Sequence, residues 1–366
     1  MERAEQGAKP EKIRFEYRPM TLDALDMERF RQCFEDNGSP RTMERLSWQY
    51  ARNPTGKIYV DFAIDPAEPE LIAGIYAVQP ARMRVGASLR LGVQSVDTLV
   101  DARYRGQGLF VKMARAVYAR CERENVALVY GFPNGNSAHG FFERLSWEPF
   151  DPVPFLVRPL NTGYATDRLL RSQPWSRWIP RWSLPIVPAT LLSPGWRIEP
   201  LHTFDERTDR VWREFSRAIE LSVERDAVYL NWRFRDHYSK AYTQLALYDG
   251  DSLLGFVVYA VLGKHGGSVA YIMELQHEPW RTDVGRALLE AALRGARDAG
   301  ADVVLSWCLP HSPNRGVYRS QGFVDLPQRF WPIELHVGAR GFSVPEWMDL
   351  SDPARWYLSY SDSDTV

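Results

Sequence analysis

The sequence of 366 residues predicts a mixed α/β protein of two tandem domains, each a mostly antiparallel mixed sheet flanked by helices. First, the motif LSWQY at residues 46–50 resembles LNWRF at 230–234, and the stretch from Gly108 resembles the stretch from Gly285 at nearly the same spacing. Second, short apolar or alternating segments bounded by Pro and Gly are typical of strands. Third, each copy contains an amphipathic helix followed by an apolar strand, which indicates a β–α–β unit in each domain.

The elements of the first copy follow in order. Apolar residues near helical spacing predict a helix over residues 22–34, with an apolar face of Leu22, Leu25, Phe30 and Phe34. Strands are then predicted at 58–64, 71–78, 82–90 and 92–100, separated by Pro66, Pro69, Pro80 and Gly86. A helix over 109–124 and a strand over 126–130 complete the β–α–β unit. In the second copy we expect strands at 242–248 and 301–307 and a helix that opens at Gly285.

These elements predict the domain organisation. The two domains are expected at 13–158 and 196–338, joined by a connector rich in Pro and Trp at 159–195, with a flexible tail at 1–12 and a second tail at 339–366. The connector either packs its indoles between the domains or presents a basic aromatic surface to a membrane or an acyl chain. Trp48 and Trp232 occupy equivalent places in the two copies and are expected in the core.

The composition excludes several classes of protein. Lys and Arg number 45 and Asp and Glu number 46, so the net charge of −1 argues against a protein that coats nucleic acid. The three cysteines, Cys33, Cys121 and Cys308, fit neither a disulfide framework nor a zinc site, and we expect a cytoplasmic protein without a metal. The sequence contains neither an apolar run long enough to span a bilayer nor an apolar signal peptide at its start.

The motif that carries chemistry is the stretch from Val96 to Leu109, in which an apolar strand runs through a turn with two glycines into an amphipathic helix. Glycines allow positive φ and close approach of a ligand to the backbone, and the first N–H groups of a helix lack partners within it. With Arg103 and Arg105 beside it, this turn is suited to bind a pyrophosphate. The alternative is a simple strand–helix turn. The spacing matches neither a Walker loop nor a dinucleotide-binding fingerprint.

At these residues the sequence resembles the GNAT acetyltransferase superfamily. The stretch RYRGQG at 103–108 matches its Q/R-x-x-G-x-G/A motif for the pyrophosphate of acyl-CoA, and residues 126–147 look like its next motif. More narrowly, the segments WQYARNP at 48–54 and GFPNGNS at 131–137 look like bacterial tandem-GNAT proteins, some of which are nucleotide-sugar N-acyltransferases. The resemblance implies an acyl-CoA co-substrate bound by the following residues: Thr98, Leu99, Val100, Arg103, Arg105, Gly106, Gln107, Gly108, Leu109, Asn134, Asn136 and Phe142.

The resemblance also implies the mechanism. In GNAT proteins the fourth and fifth strands splay apart, and a backbone N–H of the fourth strand meets the thioester carbonyl; Thr98, Leu99 and Val100 correspond to that strand here. Asp97 is the first candidate for the catalytic base, and Gln94, with Ser95 nearby, is placed to position a water. Equally, Asp97 could be a strand carboxylate bonded to a neighbouring N–H group or one that orients the acceptor. His139 is a weaker candidate for the base.

The sequence departs from the family at two places. The tyrosine that often protonates the leaving thiolate corresponds to Phe142, whereas the second copy has Tyr318 there. The second copy also has Trp280 in the place of Arg103 and Asp283 in the place of Gly106, and a carboxylate there would repel a pyrophosphate. We therefore expect acyl-CoA in the first domain alone, with the second domain contributing to the acceptor pocket.

The expected function is the transfer of an acetyl or short hydroxyacyl group to a small amine, in first place a nucleotide-linked amino sugar of surface-polysaccharide biosynthesis. The alternatives are another amine (an amino acid, a polyamine or an aminoglycoside) or a non-catalytic protein that binds acyl-CoA. We expect neither nucleic-acid binding nor insertion into a membrane, and a homodimer stays open. The aromatic and acidic run Trp356–Asp364 either binds the acceptor or is a solvated tail.

Overall fold

The computed structural model describes residues 13–163, 182–188, 193–264 and 266–363, and within them the chain forms two mixed sheets with helices on their faces. The predicted tail at 1–12 and most of the predicted connector, including Trp175 and Trp178, lie outside the described residues. Of the connector, Trp182 is exposed, and Asn161 forms an isolated bridge with Ser183. None of the described helices is long and apolar enough to cross a membrane.

The first sheet has the strand order β1-β2-β3-β4-β5-β15-β6, with β9 added beside β3. The helices α1 and α2 belong to this part of the chain. Helix α2 continues as a π-helix over Ser47–Ala51. Helix α3 connects β4 to the parallel strand β5. The bounds are β1 Glu16–Pro19, α1 Ala24–Asp36, α2 Met43–Leu46, β2 Tyr59–Ile64, β3 Ile72–Val85, β4 Ser88–Val100, α3 Leu109–Arg123, β5 Leu128–Gly131, α4 Gly135–His139 and β6 Glu148–Phe150.

The second sheet has the order β14-β7-β13-β12-β11-β10-β8. The helix α7 connects β12 to the parallel strand β13, as α3 does in the first sheet. The bounds are β7 Phe155–Pro159, β8 Trp196–Pro200, α5 Glu206–Phe215, β9 Leu221–Val223, α6 Ala227–Leu230, β10 Tyr242–Asp249, β11 Ser252–Lys264, β12 Gly267–His277, α7 Thr282–Asp298, β13 Val303–Trp307, α8 Arg315–Ser320, β14 Val324–Asp325 and β15 Val337–Gly341.

The prediction of separate strands at 71–78 and 82–90 is wrong, because β3 runs unbroken through Pro80 to Val85. Pro80 faces Val93 of β4, but on the other edge the pairing with β2 ends at Val78, and β9 begins to pair only at Met83. At Pro80 the strand therefore has a neighbour on one side only, a position where a residue without an N–H group is tolerated.

The two halves of the chain exchange a strand. β15 follows the second domain in sequence, yet it pairs antiparallel with β5 and β6 of the first sheet. β7 follows the first domain, yet it lies between β13 and β14 of the second sheet. Each sheet therefore contains a strand from the other half, and the predicted division of the chain at residues 158 and 338 does not coincide with the division of the sheets.

Two tryptophans at equivalent positions of the repeat, Trp48 and Trp232, join the two halves of the chain. The rings of Trp48 and Trp232 stack at 4.6 Å and 7°, and both residues are buried. Each indole donates to the backbone of the other, from Trp48 Nε1 to the Trp232 carbonyl at 2.8 Å and from Trp232 Nε1 to the Trp48 carbonyl at 3.0 Å. The prediction that both belong to the core is confirmed, and the core they belong to spans both halves.

The tail predicted at 339–366 is wrong for its described part, and so is the solvated alternative for the run that begins at Trp356; the alternative that this run binds the acceptor stays a prediction. After β15 the chain returns to the middle of the molecule, where Trp356, Tyr357, Leu358 and Tyr360 are all buried. We call residues 356–363 the C-terminal segment. Its burial is explained by its composition, since four large apolar or aromatic side chains in eight residues gain more from the core than from water.

Candidate active site

A cleft opens in the first sheet where β4 and β5 separate. The two parallel strands pair only from Val93 with Val129 to Ser95 with Gly131, and β4 then continues to Val100 paired with β3 alone. Opposite Ala77, β4 carries two residues, Val96 and Asp97, so a β-bulge bends the strand just at the point of separation. The splay that the resemblance implied is therefore present, and backbone groups of β4 beyond Ser95 face a cavity instead of a strand.

The cleft has a volume of about 780 Å³ and reaches from this splay to the glycine turn. Its walls come from both halves of the chain, because Trp307 and residues 333–335 close one side. The hydroxyl of Thr98 lies in this wall as a buried group without a hydrogen-bond partner among the described residues. A buried polar atom left in this way suits a polar group of a bound ligand. The lining residues predicted from the sequence are Thr98, Leu99, Val100, Arg105, Gly106, Gly108, Leu109, Asn134 and Asn136.

The glycine turn has the geometry that its sequence predicts. Gly106 and Gly108 have φ of +81° and +71°, and a Cβ at either position would project into open space. Gly108 caps α3, a helix of 15 residues whose first N–H groups lack partners within the helix and point toward the cleft end of the turn. Arg105 is exposed beside them and forms no ion pair with another described residue. The turn therefore fits an anion such as a pyrophosphate.

Three predicted binding residues lie outside the cleft lining. The Arg103 guanidinium pairs with Asp101 at 2.9 Å and lies 3.6 Å from Glu68, on the other side of the turn. Gln107 is half-buried in the turn, and Phe142 packs near Gly338 of β15. The binding roles of these three stay predictions. The neighbouring Phe141, not Phe142, lines the cleft, because residues 140–144 form a π-helix that shifts the phase of the side chains.

Asn134 organises the far side of the cleft. Its side-chain oxygen accepts from the backbone N–H groups of Asn136 and Ser137 at 3.1 Å each, so it caps α4. Asn134 therefore forms the turn at the start of α4, and its role in binding stays a prediction. Asn134 and Asn136 line the cleft, whereas His139 is exposed at the end of α4 and does not line it.

Asp97 lies on the opposite face of the sheet from α3, with its side chain 1% exposed. One carboxylate oxygen accepts from Arg41 at 3.1 Å, and the other accepts from Gln49 Nε2 at 3.0 Å and from the Tyr50 hydroxyl at 2.9 Å. Asp97 does not line the cleft. Its role as base stays a prediction, and these contacts favour a positioning role, because both oxygens already accept from the helix α2 region.

Gln94 holds the C-terminal segment. Its Nε2 donates to the backbone carbonyl of Asp362 at 2.6 Å, and its Oε1 lies 3.5 Å from the Tyr130 hydroxyl. The role of Gln94 in positioning a water stays a prediction. Its bond to Asp362 shows that the C-terminal segment reaches the point where β4 and β5 separate. Ser363, the next residue, lines the cleft itself.

A fully buried ionic network fixes the C-terminal segment. Arg225 donates to Glu274 at 3.1 Å and to Asp362 at 2.6 Å, and the side chains of all three residues are 0% exposed. Glu274 also accepts from the hydroxyls of Tyr357 and Ser359. Burial raises the pKa of Asp362, an effect that Arg225 opposes. Sequence reasoning missed this network because its members lie far apart along the chain.

The corresponding cleft of the second domain is closed. β12 and β13 also separate, after pairing from Val269 with Val303 to Tyr271 with Leu305, but the C-terminal segment fills the gap. Tyr360 stacks on Trp307 with ring centroids 4.6 Å apart and contacts Tyr271 at 5.2 Å. The predicted opening of the helix at Gly285 is wrong, because α7 already begins at Thr282. The residues that would form a turn are thus helical, and the buried Gly285 packs on His277.

A second cavity, of about 260 Å³, lies between the two halves on the face of β4 opposite α3. We call it the inner pocket. It shares Val96 and Ser363 with the cleft, so the two cavities meet where β4 bulges. Its lining includes Arg45, Gln49 and Gln94 from the first half and Arg233, His237, Tyr242 and Lys264 from the second. Sequence reasoning missed His237 and Lys264, which lie outside any recognisable motif, and Arg233, whose repeated motif LNWRF was interpreted as core.

His237 is held neutral in the inner pocket. Its ring packs on Trp48 at 4.4 Å, and its Nδ1 accepts from the Ser239 N–H at 3.2 Å. Burial, then the charges of Arg233 and Arg45, lower the pKa of His237 to about 2. The ring is therefore uncharged at neutral pH.

Comparisons with known proteins agree with this geometry. Residues 16–150 match a family model described as an acetyltransferase (GNAT) domain, and residues 205–323 match the acetyltransferase (GNAT) family. No curated protein matches the chain in sequence.

Solved structures share the fold at low identity. The structure of N-myristoyltransferase from Saccharomyces cerevisiae with bound myristoyl-CoA is similar with a TM-score of 0.57 and 12% identity, over 90% of this chain and 79% of that one. A GCN5-related N-acetyltransferase from Anabaena variabilis is similar with a TM-score of 0.60 and 12% identity, over 90% of this chain and 73% of that one.

Two GNAT-family domains in tandem, with a glycine turn that fits an anion and an open splay in the first, define the class of protein. The chain is a tandem GNAT acetyltransferase, an N-acyltransferase whose acyl donor is an acyl-CoA. Among the described residues there is no group of three or more His, Cys, Asp and Glu side chains that could hold a metal.

Proposed function

We propose that the protein transfers an acetyl or short hydroxyacyl group from acyl-CoA, bound in the cleft, to the amine of a nucleotide-linked amino sugar that enters through the inner pocket. The observation that carries this proposal is the junction of the two cavities at Val96 and Ser363. An amine in one cavity and a thioester in the other would meet beside the bulge of β4. A place in surface-polysaccharide biosynthesis and in the cytoplasm belongs to the same proposal, as does a homodimer.

The residues of the first domain would bind the donor in two parts. The N–H groups at the start of α3, together with Arg105, suit the pyrophosphate, and Thr98 and Asn136 offer polar groups to the chain that connects it to the thioester. The thioester supplies the activated acyl group. A backbone N–H of β4 between Thr98 and Val100, fixed by pairing with β3, is placed to stabilise charge on its carbonyl oxygen.

The small size of the inner pocket supports a small acceptor. Ligand sites for drug-sized molecules measure roughly 300–1,000 Å³, and the inner pocket, at about 260 Å³, suits one sugar or one amino acid. An outer pocket of about 690 Å³ adjoins it at Trp48 and His237 and has room for a larger attached group. This arrangement supports an amino sugar carried on a nucleotide, with the amine directed toward Val96.

The first experiment tests the donor site with a matched pair of glycines. Gly108 and Gly300 are both exposed at positive φ, +71° and +82°, and a Cβ at either meets open space, but only Gly108 lies in the cleft. Either residue replaced by Glu should lose about 1–2 kcal/mol of stability from backbone strain. Gly108→Glu alone should weaken acetyl-CoA binding in calorimetry more than about 100-fold, because like charges about 4 Å apart repel by about 4 kcal/mol near a protein surface.

Equal binding of acetyl-CoA by the Gly108→Glu and Gly300→Glu variants would remove the turn from the proposal. The second experiment measures thiol release from acetyl-CoA and from a hydroxybutyryl-CoA with a panel of amines that includes a nucleotide-linked amino sugar, an amino acid, a polyamine and an aminoglycoside. Donor binding without thiol release on any acceptor would favour the non-catalytic alternative.

A further inference from the structure

The inner pocket is cationic. Among the described residues that line it, Arg45, Arg233 and Lys264 carry positive charge, and Asp362 is the one carboxylate. The Asp362 side chain is 0% exposed and shares Arg225 with Glu274, so its charge is partly compensated there and also acts on Arg233. Arg45 shares the single carboxylate of Asp97 with Arg41, at 3.9 Å and 3.1 Å. The surface that an acceptor would meet is therefore positively charged overall.

Arg233 is the centre of this charge. It is 4% exposed and bonds only to neutral groups among the described residues, with Nε on the carbonyl of Ser361 at 3.0 Å and Nη2 on that of Ser363 at 3.1 Å. Nη1 donates to the Tyr242 hydroxyl at 2.8 Å. A guanidinium has five N–H donors, so two remain for a ligand. A buried charge is ordinarily paired, and this one has no carboxylate within ion-pair distance among the described residues.

The pKa of His237 is consistent with a positive field in the pocket. Next to burial, the charges of Arg233 and Arg45 are the causes that keep its pKa low. A neighbouring anion would act in the opposite direction. Cations therefore outnumber carboxylates among the described residues that line the pocket beside the bulge of β4.

We propose that the acceptor is an anionic amine, whose phosphate group binds Arg233 and Lys264 in the inner pocket while its amine points to Val96. Three cations around a pocket of about 260 Å³ suit a doubly charged phosphate better than a single carboxylate, and they disfavour polyamines and aminoglycosides, which carry positive charge. This inference rests on the proposed function, because it names the substrate class of the same site.

The test compares acceptors of different charge. An amino sugar, its 1-phosphate, an amino acid and a polyamine are measured for binding by calorimetry and for thiol release with acetyl-CoA. We expect the sugar phosphate to bind and react at least about tenfold better than the free amino sugar, and the advantage to fall as salt is raised from about 0.05 to 0.5 M, since salt screens charge. The acceptor variants are Lys264→Met and Arg233→Lys, and the control is the exposed Arg213→Met on α5.

Lys264→Met and Arg233→Lys should raise KM for the sugar phosphate about tenfold or more and leave KM for acetyl-CoA unchanged. Arg213→Met should change none of these. Equal or better use of the free sugar, the amino acid or the polyamine would overturn the inference and keep the proposed function. Tight binding of the sugar phosphate without thiol release would overturn the proposed function and keep the inference. Absence of phosphate-dependent binding overturns the inference whatever the activity.

Discussion

Asp97 shows that a residue can be predicted on the right strand while the direction of its side chain is not. It lies on β4 as the sequence predicts, and the bulge turns its carboxylate to the face of Arg41, Gln49 and Tyr50, while its role as base stays a prediction. A bulge adds one residue and reverses the direction of the side chains that follow it. Because alternation along the strand was the only guide to direction, the sequence could not reveal this change.

The substitution Asp97→Asn separates a base from a positioning group. If the residue positions Arg41 and Tyr50, the variant should lose about 1–3 kcal/mol of stability, because buried partners lose their acceptor, while the pH profile of kcat/KM keeps its acid limb. Urea unfolding and a pH profile of thiol release measure the two effects. A loss of the acid limb with a fall in kcat of about 100-fold or more would instead identify Asp97 as the base.

The burial of His237 predicts how stability depends on pH. Its pKa is lowered to about 2 in the folded protein, so below about pH 6.5 the unfolded chain binds a proton that the folded chain does not. Stability should therefore fall as the pH is lowered, by up to about 1.4 kcal/mol per pH unit for this residue. Between pH 7.5 and 5.0 the loss should be about 2 kcal/mol smaller in His237→Gln than in the unaltered protein.

The control for this experiment is His202→Gln, since His202 is exposed. Comparing each protein with itself at two pH values cancels any stability that the substitution alone removes. His277 also has a pKa lowered by burial, so part of the pH dependence should persist in His237→Gln. An identical loss in the His237→Gln variant and the unaltered protein would contradict the assignment.

At the scale of elements, the sequence predicts best those helices whose apolar face and end signals lie within one stretch of chain. The helix predicted at 109–124 is Leu109–Arg123, because its apolar face and the preceding glycine lie within one stretch of chain. The helix predicted at 22–34 is Ala24–Asp36, but Leu22 and Leu25 are exposed, so its predicted apolar face was partly wrong. The C-terminal segment was misjudged because its partners, Glu274 and Arg225, come from distant strands and loops.

The C-terminal segment depends on Arg225. Removing one partner of a buried ionic network leaves uncompensated charge, at a cost of about 3–5 kcal/mol. We therefore expect Arg225→Met to lose several kcal/mol in urea unfolding, whereas the exposed Arg213→Met should change stability by less than about 0.5 kcal/mol. Combining Arg225→Met with Glu274→Gln and Asp362→Asn should recover part of the loss. A single Arg225→Met variant as stable as the unaltered protein would show that the network contributes little.

At the scale of the whole molecule, the repeat in the sequence predicted two related domains, but it could not show that they exchange strands. The pairing of β15 with β5 and β6, and of β7 with β13 and β14, joins residues about 200 and 150 positions apart. The sequence predicts neither β7 nor β15 as a strand, because each is short and β15, with the sequence VGARG, lacks apolar alternation. Only the three-dimensional structure shows these strands and the sheet that each one completes.

The exchange predicts that neither half folds alone. A fragment of residues 1–175 lacks β15, so β5 and β6 have no strand between them, and its own β7 has no partner sheet. We expect each of the fragments 1–175 and 176–366 to show no cooperative unfolding and no acetyl-CoA binding, and their mixture to recover binding. Circular dichroism during thermal unfolding and calorimetry measure these outcomes. Full binding and a cooperative transition in fragment 1–175 alone would contradict the prediction.

The position of β15 also bears on how the chain is made. The ribosome releases a protein from its first residue onward, and domains ordinarily fold as they emerge. Here the gap between β5 and β6 stays open until residue 341 has left the exit tunnel, by which time the glycine turn at 103–108 has been outside for more than 200 codons. The nascent first half must therefore wait, with a sheet edge uncovered, until β15 has been synthesised.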